Sequence, residues 1–150
     1  MKRQLEFFAA DAMTWRAARQ PGTEEKVLSR DADDPAVLTR LVRWVPGLDT
    51  SGVGVITHDY VEEVYLLEGE LTDLTLGRTF RAGHYASRRP GMPHGPYRTP
   101  AGCTMLEIRY RVTADAVCDK PAARAPESRD TELCPLPRWR PPRPPASPTA

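Results

Sequence analysis

The sequence predicts an all-β domain built as a small barrel or sandwich, followed by a proline-rich segment that does not contribute to its core. Three observations carry this. Between residues 23 and 112, short apolar runs recur at close spacing with glycine or proline between them, the pattern of strands joined by tight turns. Two of those runs, 37–45 and 103–112, alternate as strands of a two-layer structure do. From Thr113 onward the composition changes, with nine of the sixteen prolines falling after residue 120, and such a segment cannot bury enough apolar surface to build a core.

Composition narrows the function classes. The 150 residues suffice for one domain with a core. A net charge of +1 without a basic stripe gives no reason to expect nucleic acid. Met1-Lys2-Arg3 opens like an export signal, but Glu6 and Asp11 interrupt the apolar run that follows, and no later run is long enough to span a membrane. With no export signal and cysteines at 103, 118 and 134 that suggest no disulfide framework, the expected compartment is the cytoplasm.

In chain order, residues 1–22 read as an N-terminal arm whose Leu5, Phe7, Phe8 and Trp15 need a surface, either a barrel mouth or a second subunit; a homodimer is the expectation. Val27-Leu28 reads as a short strand before the polar turn 30–35, which lacks the glycine and terminal glutamate of a calcium loop. The strand at 37–45 stops at Pro46-Gly47. Residues 56–69 read as a strand that ends in a Glu68-Gly69-Glu70 turn; strands follow at 71–76 and 79–82, and 95–102 is a loop. In the run from Cys103 to Val112, either Met105, Glu107 and Arg109 or Leu106, Ile108 and Tyr110 face inward, and the cost of interior charge favours the second set. In the first alternative Arg109 becomes a candidate for holding an anionic substrate. Cys103 reads as a small core residue. The barrel is thus expected over 23–112, with 113–150 extended or disordered; Arg138-X2-Pro141-X2-Pro144 is a chance polyproline pattern.

The chemistry concentrates in two stretches. In an extended chain His58 and Glu62 share a face, continued by Val64 and Leu66. A second run, Gly83 to His94, passes through Pro90-Gly91 to deliver another histidine. Two histidines and one carboxylate leave coordination positions open on non-haem iron or catalytic zinc. His84, near the start of its run, reads as structural or exposed rather than as a ligand. Tyr60 and Met92 sit beside the motif residues as candidate pocket walls.

The pattern His58-X3-Glu62-X6-Gly69, followed by Gly83, Pro90-Gly91 and His94, resembles the paired motifs of the cupin superfamily. The Glu62-Glu63 pair, the Leu67-Glu68-Gly69-Glu70 turn and Gly102-Cys103 resemble the zinc-binding cupin domains of ChrR-type anti-sigma factors in particular. The resemblance implies a double-stranded β-helix, a jelly-roll barrel, with one divalent ion on His58, Glu62 and His94; iron or zinc ranks ahead of manganese and nickel. It also marks departures. Ile56 stands where the first motif usually has a histidine, Arg89 where proline is common and Arg98 where asparagine is common.

Two function classes compete on this reading. One is a metal-dependent enzyme, dioxygenase-like or an isomerase or hydrolase, acting on a small oxygen-containing organic molecule in a pocket that includes Ile56, Tyr60, Met92 and Arg109. No catalytic residue beyond the ligands is assigned. The other is a non-catalytic metal- or ligand-sensing module of the anti-sigma type, although no helical sigma-binding segment precedes the barrel. A metal-free, degenerate barrel is the third reading, supported by Ile56.

Overall fold

The computed structural model describes residues 1–112, which form two antiparallel sheets that share one long strand. The first sheet runs β1 (Arg16–Ala17), β2 (Thr23–Arg30), β3 (Leu38–Trp44), β9 (Cys103–Tyr110) and then the N-terminal half of β5 (Val61–Asp73), edged by β7 (Tyr85–Arg88). The second pairs β4 (Leu48–Asp49) with β8 (Tyr97–Thr99), which joins the C-terminal half of β5, itself paired with β6 (Arg78–Arg81). This is the all-β jelly-roll arrangement expected. The expectation for 113–150, including the proline pattern at 138–144, lies outside the described residues.

Strand β5 corrects the expected turn at Glu68-Gly69-Glu70. It passes through Gly69, with a register shift against β9 between Leu66 and Glu68, and so hands the chain from one sheet to the other. Gly69 has φ of 75°, and a Cβ there would lie 2.1 Å from the Gly102 carbonyl oxygen, so only glycine fits the crossing. The strand ends at Asp73, short of the expected Leu76, because the Asp73 carboxylate accepts the amides of Thr75 and Leu76 and closes the turn. The expected loop at 95–102 contains β8.

The core lies between the sheets. Val42, Val64, Leu66, Leu71, Tyr97, Cys103 and Met105 are buried together, with Trp44 and Phe80 packed against them. Cys103 takes the core position expected, and burial pushes its thiol up to about 11.

The inward face of β9 is the reverse of the one that burial arguments favoured. Met105 and Glu107 are buried and Arg109 faces Glu62, while Tyr110 is exposed. Interior charge is tolerated here because it is paired: Arg40 on the neighbouring β3 grips Glu107 through two donors at 3.0 and 2.9 Å and also reaches Glu25. The N-terminal arm runs along β2, where Lys26 donates to the carbonyls of Ala10 and Asp11 and sits over the Trp15 ring. Phe7 is fully exposed.

Candidate metal centre

His58 does not lie on a strand. It precedes β5 in an irregular segment, so its approach to Glu62 comes from loop geometry rather than from alternation. Two backbone contacts fix that segment. Ile56 and His94 exchange N–H to carbonyl bonds of 3.0 and 3.1 Å, and the Gly91 amide donates to the His58 carbonyl at 2.8 Å. The turn at Pro90-Gly91 therefore docks the second motif onto the first.

Each imidazole is oriented from its far side. His58 Nδ1 bonds the Tyr60 carbonyl at 2.8 Å and His94 Nδ1 bonds the Met92 carbonyl at 3.0 Å, which puts the proton on Nδ1 and the lone pair on Nε2. Both Nε2 atoms face Glu62 Oε2, at 3.5 and 3.6 Å. The three donor atoms lie within 4.8 Å of one another. Donors about 2.1 Å from one tetrahedral ion stand about 3.4 Å apart, so the set matches a shared divalent ion. His58 Nε2 is buried with no hydrogen-bond partner, the state of a lone pair meant for a ligand. The residues present fit the metal that the resemblance implies.

Electrostatics keep the set ready. Burial opposes ionisation of Glu62, but the guanidiniums of Arg88 and Arg109 outweigh it and hold the carboxyl below its usual range. Arg88 Nη1 donates to Oε2 at 2.8 Å and Arg109 Nη2 lies 3.4 Å from Oε1. Burial, with Arg88 nearby, lowers the His94 pKa and keeps that imidazole neutral.

The other expected pocket residues divide between two cavities. Ile56, Tyr60 and Arg109 line a cavity of about 570 Å³ together with Glu62 and His94, and Tyr60 stacks on His58 with ring centroids 4.1 Å apart. Met92 lines a second, apolar pocket of about 350 Å³, which shares His94 and Tyr97 with the first. His84 is exposed and bonds Arg81, the structural role expected. Arg98 pairs with Asp49 at the surface. Sequence reasoning missed Arg40 and Arg88, and it favoured the strand face that leaves Glu107 outside. Arg88 is set opposite Glu62 by strand register, and the only signal for it was its place beside Arg89 ahead of the Pro90-Gly91 turn.

The sequence profile of the ChrR cupin-like domain matches residues 3–112. The chain belongs to the ChrR cupin-like domain family. No curated protein matches the sequence. Among solved structures, this ChrR cupin-like chain is similar to an RmlC-like cupin from Shewanella frigidimarina NCIMB 400, with 17% identity, a TM-score of 0.58 and coverage of 77% of this chain and 98% of that one. It is also similar to the polyketide cyclase RemF from Streptomyces resistomycificus, with 24% identity, a TM-score of 0.54 and coverage of 71% and 79%. A third likeness is to the complex of Rhodobacter sphaeroides SigE with the anti-sigma ChrR, with 20% identity, a TM-score of 0.50 and coverage of 65% and 49%. At these identities the likeness is one of fold. No helix among the described residues of this ChrR cupin-like chain is long and apolar enough to cross a membrane.

Proposed function

We propose that the domain binds one divalent metal ion on His58, Glu62 and His94, and that it acts on a small oxygen-containing organic molecule in the adjoining cavity. The observation that supports this most is the convergence of two carbonyl-tethered imidazoles on one carboxylate oxygen, at 3.5 and 3.6 Å. The ion would supply Lewis acidity with positions left open for a ligand. The chain's own residues do the rest. Tyr60 and Met92 hold the two imidazoles by their backbone carbonyls, and Arg88 orients Glu62. Val42, Val64, Leu71 and Met105 give the cavity apolar walls that exclude water from the ligand.

Ile56 takes the place of a fourth protein ligand. Its bridge to His94 puts an aliphatic side chain on the cavity wall, so three ligands leave more of the ion to the organic molecule. The test is elemental analysis of protein purified without chelator or nickel resin. The expected result is about one equivalent of metal in the parent chain and its loss in both His58→Ala and His94→Ala. Unchanged metal in these variants would remove the histidines from the site, and no metal in the parent would favour a degenerate barrel.

The family match favours a second reading, a module that senses a metal or ligand and alters its contacts with a protein partner. Structures of this fold include a polyketide cyclase and an anti-sigma bound to SigE, so the fold accommodates either reading and experiment must choose. Metal-dependent turnover of small diketones or hydroxylated aromatics would decide for the enzyme; metal-dependent capture of a protein partner without turnover would decide for the sensor.

A further inference from the structure

The larger cavity is richer in positive than in negative charge. Arg19, Arg40, Arg88 and Arg109 line it against Glu62 and Glu107. Two of the buried arginines have their donors engaged. Arg40 donates from all three nitrogens, to Glu107 and Glu25, and Arg88 donates to Glu62 and to the Tyr97 hydroxyl. Arg109 differs. Its Nε is ion-paired with Glu107 Oε1 at 2.5 Å and its Nη2 lies 3.4 Å from Glu62 Oε1, but neither contact is an aligned hydrogen bond. Its guanidinium lies over the Tyr60 ring, 4.9 Å from the centroid. Among the described residues its two terminal nitrogens donate no hydrogen bond, so they remain available beside the carboxylate that faces both histidines.

We infer that Arg109 is the anion-holding residue of this cavity, and that the ligand taken at the His58, Glu62 and His94 ion is a small organic carboxylate. The inference rests on the metal reading above. An ion bound at Glu62 Oε2 draws on the charge that this carboxylate now gives to Arg109 and adds its own, while Glu107 is shared between Arg109 and Arg40, so the loaded site carries an excess of positive charge. An anionic ligand that reaches from the ion to Arg109 restores the balance. The two terminal nitrogens of one guanidinium match the two oxygens of a single carboxylate, and the apolar walls take the rest of a small molecule. Arg109 is thus a specificity residue, selecting carboxylates over neutral molecules of the same shape.

The experiment titrates malonate into the cobalt-loaded full chain and reads the visible cobalt bands, with the neutral isostere malonamide in parallel and cobalt content measured after each titration. A saturable band change with malonate and none with malonamide is expected. Arg109→Gln should weaken malonate binding at least about tenfold with cobalt content unchanged. Arg109→Lys, which keeps the charge but loses the fork, should fall between and gives the readout if Arg109→Gln does not fold. Equal binding of malonate and malonamide, undiminished binding in both variants, or preference for inorganic phosphate over malonate would overturn the assignment. Failure of the parent chain to take up cobalt would instead overturn the metal reading, and this inference with it.

Discussion

At the scale of single residues, the site depends on what each side chain can donate or accept. Ile56 sits where the resemblance puts a histidine, and its backbone is already bridged to His94, so Ile56→His should tighten metal binding by more than the roughly tenfold that a lost outer-shell partner costs. A competition titration against a chelator measures it, and no gain would mean that position 56 does not face the ion. Cys103 has its thiol pushed up to about 11 by burial, against a smaller opposing effect of Thr99, so at pH 8 iodoacetamide should label it far more slowly in the folded chain than in urea, as read by peptide mapping. Asp49 shows the opposite shift. The Ser51 hydroxyl and amide, with Arg98, lower it to about 2. Its stabilising effect is present above the ordinary carboxylate range and is lost as pH falls toward about 2. The melting difference between the parent and Asp49→Asn should therefore shrink as pH drops from about 5 toward 2.

At the scale of elements, β5 and β9 decide where the chemistry sits. β5 serves two sheets only because Gly69 accepts a positive φ against the Gly102 carbonyl. Gly69→Ala should cost roughly 3 kcal/mol in a urea melt, combining backbone strain with a steric clash; a loss well below that would mean the crossing can relax. On β9, Glu107 stands between Arg40 and Arg109. Glu107→Leu leaves buried positive charge without its partner and should also destabilise by about 3 kcal/mol, whereas an exposed pair in its place would lose about 1 kcal/mol or less.

At the scale of the whole molecule, the barrel joins three segments far apart in sequence into one site: 56–62, 88–94 and 107–109. Metal binding to the folded form alone should raise the melting temperature by several degrees, since ligand at a hundredfold excess over Kd contributes about 2.7 kcal/mol. Chelation should reverse the rise in the parent, and His94→Ala should show neither effect; an equal rise in that variant would place the ion elsewhere.

The amino-acid sequence by itself determined the all-β class, the strand-rich span up to residue 112 and the two motifs that bring His58, Glu62 and His94 into consideration. These are local properties, carried by alternation, by Pro-Gly turns and by residue types that bind metal. The sequence did not reveal that His58 precedes its strand, that Gly69 bends a strand rather than ending it, or that Arg88 stands opposite Glu62. Nor could it choose the inward face of β9, because both alternations are consistent with a strand. Only the tertiary structure decided that Glu107 and Arg109 point inward, since the cost of interior charge depends on partners from β3 and β5 that register alone brings within reach.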